Sequence, residues 1–510
     1  MPAQEEGREE SPSLLSITAA PLIPCLYDRG VGMSARAVEV GPLDVRGVPA
    51  DEFLNVEQHA LDPIPLADRH GSPGGLFLLW GASQGNFSSI FTGSLLLAGG
   101  LGIVDGVLAI VIGAVLAGTV LGLLSVIGPR TGATQVVASR SVFGMRGAGL
   151  GALLTLFLAV GWFAVDSVIG AQALIALAGK AGVPDSKPLE AVLLLLIIGA
   201  SMLVAVYGHQ TISVFERFGT IVFVLFSAVV FAVLVPKLHF DAAATLRGGA
   251  HLGGVVLGAS IIFALIASWF AFTSDYSRYL RPDADSRRVG AASGSGIAAT
   301  TILLGLFGML LLTLTPDHDP NKLQDAIVGA LPGAVGIPFL IYVALGMVWG
   351  NYFDVYTAGL ASLAAGLRLT RWQAAALCGA AGGVLAYVAL FISDFQTQYT
   401  NFLLLTYVWA PGWAAVVLAD HFILHRRIES AELTRDRRRY WFSAGFRPAG
   451  LLAWAAGTLA AVPFINSPMW TSPLSSHLLR QADISGVVGF LVAGAVYLTI
   501  CRASADRATA

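Results

Sequence analysis

About twelve runs of mostly apolar residues, most of them about 20 residues or longer, follow one another between Gly75 and Cys501. An α-helix rises 1.5 Å per residue, so about 20 apolar residues cross the ~30 Å hydrocarbon core of a bilayer. Inside that core a backbone must satisfy its own N–H and C=O groups, which favours helices for runs of this length. Composition agrees: of 510 residues, 55% are hydrophobic and 12% are charged. A soluble chain carries about 25% charged residues, so too little polar surface is available here to cover a water-soluble globule. The 58 glycines suit helices that pack closely in lipid. The net charge of -2 points to no class of partner. Cys25, Cys378 and Cys501 are scattered and form no metal or disulfide pattern.

The expected fold is therefore an all-α polytopic membrane protein with about 12 transmembrane helices. They are expected near 76–103, 105–128, 148–179, 189–208, 211–236, 254–274, 289–315, 334–366, 372–393, 398–425, 448–466 and 484–501. The 334–366 run is long enough to call for a tilt, a break or a short extra helix. Residues 1–74 are polar, acidic and Pro-containing and read as a mostly disordered cytoplasmic tail, with 503–510 a short cytoplasmic C-terminus. One set of loops is rich in arginine, from Arg130, Arg140 and Arg146 to the cluster Arg426–Arg439, whereas the opposite set holds only Lys180, Lys187, Lys237, Arg247, Lys322 and Arg480. By the positive-inside rule both termini are cytoplasmic, in a plasma (inner) membrane. The arginine cluster reads as a topology anchor facing anionic lipid.

Two helices look interrupted. Gly81-Ala82-Ser83-Gln84-Gly85-Asn86 lies inside the first, and Ser268-Trp269-Phe270-Ala271-Phe272-Thr273-Ser274-Asp275 inside the sixth. These are the first helices of two consecutive groups of five, and matched breaks point to a binding site at the bilayer midplane. Gly81-Ala82-Ser83-Gln84-Gly85 also fits the G-x-S-x-G nucleophile elbow, but the elbow needs a strand before it. Within an apolar helical run the match is a helix break.

Several phrases in fixed order give the chain a resemblance. They are Ala67-Asp68-Arg69-His70-Gly71, Gly128-Pro129-Arg130-Thr131-Gly132, Ser139-Arg140-Ser141-Val142-Phe143-Gly144 and Gly161-Trp162-Phe163-Ala164-Val165-Asp166. Further on come Ser274-Asp275-Tyr276-Ser277-Arg278-Tyr279-Leu280, Asn351-Tyr352-Phe353-Asp354-Val355-Tyr356, Ala419-Asp420-His421-Phe422 and Ala482-Asp483-Ile484-Ser485-Gly486. From about Pro65 to Arg502 the sequence resembles the nucleobase–cation symporter family, the purine/cytosine permeases with their allantoin and hydantoin relatives.

The resemblance implies an alternating-access transporter with two inverted five-helix repeats, 76–236 and 254–425, and two additional helices over 448–501. It places a solute between the broken helices 1 and 6 and helices 3 and 8. Trp162 would stack on a flat solute, and Trp269 would close a sandwich from helix 6. Ser83, Gln84 and Asn86 would offer polar groups from helix 1, and Asn351 an amide from helix 8. Asp166 and Asp354 depart from the family, which usually carries amides there. A carboxylate inside an apolar helix is costly and functional by default. Two acids in one pocket suit a solute with several N–H donors or a positive charge, and they suit a proton as coupling ion. Helix 8 reads Ala344-Leu345-Gly346-Met347-Val348-Trp349 where sodium-coupled relatives carry a hydroxyl pair, which favours H+ over Na+. Asp275 and Arg278 read as a cytoplasmic gate or structural pair, with Glu216-Arg217 similar, Asp420-His421 closing helix 10 and His209 interfacial.

The function expected is import of a small planar nitrogen heterocycle such as cytosine or a purine, with no cofactor and no nucleic-acid partner. Sodium-coupled or uncoupled transport of allantoin, hydantoin or another vitamin-like ring is the alternative. A transport-derived receptor and a membrane-embedded enzyme are the readings from other classes. The enzyme would need metal ligands or a nucleophile–base pair within the helices, and the sequence offers no such set.

Overall fold

The computed structural model describes residues 62–204 and 222–509, apart from positions 223, 224, 241, 247, 368 and 436. Residues 1–61, most of the expected tail, lie outside the described residues, as do His209, Glu216 and Arg217. The described residues that precede 74 are packed on the helical body: Ile64 is buried, and Arg69 donates to the carbonyls of Ile64 and Pro129 at 2.9 Å each. The expected tail boundary at 74 is thus too late.

Among the described residues the regular structure is helical, with two isolated bridge pairs beside it. Eight helices among the described residues are long and apolar enough to cross a membrane, and Phe87–Ala98, Leu225–Lys237 and Pro448–Phe464 are shorter apolar helices. The first expected helix is two: α1 (Pro73–Ser83) and α2 (Phe87–Ala98). They are followed by α3 (Ile103–Ser125), α4 (Gly147–Lys180), α5 (Lys187–Val204) and α6 (Leu225–Lys237). The second half holds α7 (Gly249–Ala267), α8 (Ser286–Leu311), α9 (Gly333–Ala364), α10 (Arg371–Tyr387) and α11 (Phe395–Leu418). Last come α12 (Pro448–Ala461) and α13 (Ser485–Thr509).

The 34 residues of α4 run unbroken. At 1.5 Å per residue that is about 51 Å, well beyond the hydrocarbon thickness, so the helix must tilt or project. The 32-residue α9 is likewise continuous, although Pro338, six residues in, removes one backbone hydrogen bond from its ladder. The short extra helix, Leu323–Ala330, precedes α9.

The packing pairs come in matched sets. α1 and α2 lie on α8 as α7 lies on α3; α5 lies on α9 as α10 lies on α4. α3 crosses α8, and α4 crosses α9, at the centre of the arrangement. Exchanging the two groups of five maps each set onto its partner, which is the contact signature of a repeat. Small residues make the α3–α8 crossing close: a Cβ on Gly118 would stand 2.7 Å from the Gly294 carbonyl oxygen.

At the arginine-rich end the phrases that carry the resemblance converge. The Gly71 N–H donates to the Tyr279 carbonyl at 2.9 Å. A Cβ on Gly128 would lie 2.8 Å from the Arg278 backbone nitrogen. The segment between α3 and α4 is not an open loop but three short helices, Ile127–Thr131, Gln135–Ala138 and Arg140–Phe143. Arg140, expected in one of the arginine-rich loops, is buried and donates to the Leu433 carbonyl at 2.8 Å.

Candidate functional site

The break between α1 and α2 is built from its own side chains. Asn86 caps α2, accepting from the Ser89 N–H at 3.1 Å, and satisfies a donor that the helix start leaves without a partner. Ser89 donates to the Gln84 carbonyl and side-chain oxygens at 2.8 Å each. Ser83 donates to the Trp80 carbonyl at 2.9 Å, which ends α1 and leaves no nucleophile elbow. The second break follows α7. Ser268 bonds back to the Ala264 carbonyl at 3.1 Å, and Phe270–Phe272 form a tighter turn before the short helix Thr273–Ser277.

A cavity of about 540 Å³ opens between these breaks, α4 and α9. Ser83, Gln84 and Asn86 line it from the first break, Trp162 and Asp166 from α4, Trp269 from the second break, and Asp354 from α9. Asn351 does not line it. One turn before Asp354's neighbour Val355, its amide turns to the interface with α4 and α5, donating to the hydroxyls of Ser167 and Ser201 at 3.0 Å each.

Trp162 and Trp269 are half-buried and held edge-on by other rings. Trp162 meets Phe402 at 5.5 Å and Tyr399 at 6.0 Å between centroids. Trp269 meets the fully buried Trp80 at 5.9 Å and Phe272 at 6.2 Å. Such edge-to-face pairs fix the indoles at low cost in entropy.

The two carboxylates differ in surroundings. Asp166 is 5% exposed and accepts from the Ser88 hydroxyl at 2.7 Å. Its other oxygen packs on Gly350, where a Cβ would collide with it. Asp354 lies one helical turn beyond Gly350, half-buried, and among the described residues no hydrogen bond reaches its carboxylate.

Ser88 was not singled out from the sequence. Its signal is weak, a serine at the start of a buried helix, and only the fold turns it toward Asp166. Tyr399 is a second addition: it shares a 2.6 Å hydrogen bond with Thr92 and so ties α11 to α2 beside Trp162.

Asp275 and Arg278 sit away from the cavity. The Asp275 carboxylate accepts from the Gln135 N–H at 2.7 Å, and the Arg278 guanidinium lies 5.3 Å over the Tyr279 ring. Asp420-His421 is more than a helix end. Asp420 is 2% exposed and accepts from Tyr497 at 2.5 Å, Arg426 at 3.2 Å and Arg447 at 3.4 Å, while His421 meets Arg130 at 2.7 Å. This cluster ties α13 and the residue preceding α12 to the end of the second repeat, and His421 joins that end to the segment between α3 and α4 through Arg130.

The permeases for cytosine/purines, uracil, thiamine and allantoin share a sequence pattern that matches residues 63–489 of this chain. The chain belongs to that permease family. Its members are transport proteins, and this permease is a multi-pass membrane protein. It is 25% identical over 462 residues to YxlA of Bacillus subtilis, whose name marks it as a provisional purine-cytosine permease; the match covers 88% of this chain and 96% of that protein. It is 23% identical to the purine-cytosine permease fcyB of Emericella nidulans, over 88% of each chain. It is 21% identical to the vitamin B6 transporter TPN1 of Saccharomyces cerevisiae, over 69% of this chain and 62% of that one. Among solved structures it is similar to Mhp1, a nucleobase-cation-symport-1 family transporter, in a closed conformation with bromovinylhydantoin bound. The TM-score is 0.69 at 18% identity, covering 89% of this chain and 97% of Mhp1. An inward-facing Mhp1 gives a TM-score of 0.71 over 89% of this chain and 95% of Mhp1. The permease shares their inverted-repeat transporter fold.

Proposed function

We propose that this permease is a secondary active importer of a small planar nitrogen heterocycle, driven by protons and working by alternating access across a plasma (inner) membrane with both termini cytoplasmic. The observation that carries the reading is the single cavity in which two half-buried indoles and two carboxylates meet two helix breaks. Flat rings stack on indole faces, and ring N–H groups need acceptors, which ionised carboxylates supply. Cytosine, purines and vitamin B6, in the names of its relatives, are all flat nitrogen rings. Protons are favoured over sodium because two carboxylates line the cavity. The stretch Ala344–Trp349 carries no hydroxyl side chain to help build an oxygen cage for a metal ion.

The test is counterflow and uptake of labelled cytosine, hypoxanthine and pyridoxine in proteoliposomes, with a pH gradient, a sodium gradient or neither. Accumulation of at least one ring, driven by an acidic exterior and collapsed by a protonophore, is the expected result. Sodium-driven accumulation that survives the protonophore reverses the ion, and exchange without accumulation under either gradient makes the protein a facilitator.

A further inference from the structure

The cavity holds two acids and, among its described lining residues, no lysine, arginine or histidine. A carboxylate removed from water is strongly unfavourable unless a positive charge or donors compensate it, and two neighbouring carboxylates add mutual repulsion. The protein compensates one of them. Asp166 has the Ser88 hydroxyl at 2.7 Å, while Asp354 has no hydrogen-bond donor among the described residues. Of the serines on the cavity wall, Ser83 donates to the Trp80 carbonyl, Ser268 to the Ala264 carbonyl and Ser88 to Asp166. The remaining surface is rich in π-faces, with Trp162, Trp269, Phe272 and Phe353 along the wall. Ring faces attract cations, more strongly where water is excluded.

Resting on the transporter reading above, we infer that the solute is an organic cation, a flat heterocycle with a positive charge on or beside the ring, and that Asp354 is its counter-ion. One proton and one cationic ring then match the two acids charge for charge. A neutral ring can offer Asp354 an N–H donor but brings no charge to balance it.

Matched rings that differ in charge test this on the purified full-length protein. Thermal-shift titrations would compare N1-methylnicotinamide with nicotinamide, and pyridoxamine with pyridoxine, with cytosine and hypoxanthine as neutral members of the family's ring class. The cationic member of at least one pair is expected to bind at least tenfold more tightly than its neutral partner. Asp354→Asn is expected to remove that preference, and Asp354→Glu to keep part of it. The wild-type comparison stands even if a variant fails to fold. Neutral rings binding as tightly as the cations overturn the charge assignment and leave the heterocycle transporter in place. A preference that persists in Asp354→Asn removes Asp354 as the counter-ion. Binding of no ring of either kind removes the charge assignment and the ring reading together.

Discussion

Trp162 is the side chain on which the site depends most directly. It lines the cavity from α4 while Phe402 and Tyr399 hold its edges, so its position is set before any solute arrives. Aromatic stacking contributes about 0.5–1.5 kcal/mol beyond buried area, and truncation also loses the area itself. Trp162→Ala is expected to abolish measurable uptake with membrane abundance unchanged; normal uptake would take Trp162 out of the site. Ser88 acts at one remove, through Asp166. A hydrogen bond to a charged group contributes about 1.5–3 kcal/mol. Ser88→Ala is therefore expected to raise the KM for transport roughly tenfold or more, with Ser88→Thr restoring much of it. A KM equal to wild type in Ser88→Ala would show that Asp166 is held well enough by packing on Gly350.

At the scale of elements, the two breaks do what a continuous helix cannot. Unwound residues expose backbone groups at mid-membrane, tolerable only where they face a cavity or find partners. The first break finds its partners locally, in the Asn86 cap and the Ser89–Gln84 bonds. Losing such a cap costs about 1 kcal/mol, a small part of the stability of a 510-residue chain. Asn86→Ala is expected to move the thermal midpoint by no more than about 3 °C, yet to lower uptake several-fold, because the cap also shapes the cavity wall. A lowered midpoint with wild-type uptake would confine Asn86 to capping. The long α4 and α9 carry the opposite requirement. They cross at the centre of the fold and bring Asp166 against Gly350, so this one crossing positions both acids.

For the whole molecule, the matched packing sets place α1, α2, α3, α7 and α8 in one group and α4, α5, α9 and α10 in another, each drawn from both repeats; under the proposed transporter reading, one group rocks against the other around the cavity. The arginine-rich end is held by Arg69 on the Pro129 carbonyl, Asp275 on the Gln135 N–H and Asp420 on Tyr497, Arg426 and Arg447. The family match begins at residue 63, and the described lining of the cavity begins at Leu79. Deleting 1–60 is expected to leave transport per molecule at the membrane unchanged. A total loss of transport by correctly inserted protein would assign the tail a part in the cycle.

The sequence by itself determined the membrane class, the approximate spans and both helix breaks. Each of these is local: an apolar run must be long enough to cross, and a cluster such as Gln84-Gly85-Asn86 interrupts it with turn and cap chemistry. Rotation about each helix axis was decided only by tertiary structure. In a soluble helix a polar face marks the outside, but α4 and α9 are apolar on nearly every side, so periodicity carries little information on which residue faces which neighbour. That is why Asn351 could be read toward the solute when it lies on Ser167 and Ser201. It is also why Ser88 passed unnoticed and Asp420 read as a helix end, since their partners stand 78 and 77 residues away in the chain and meet them only when the helices pack.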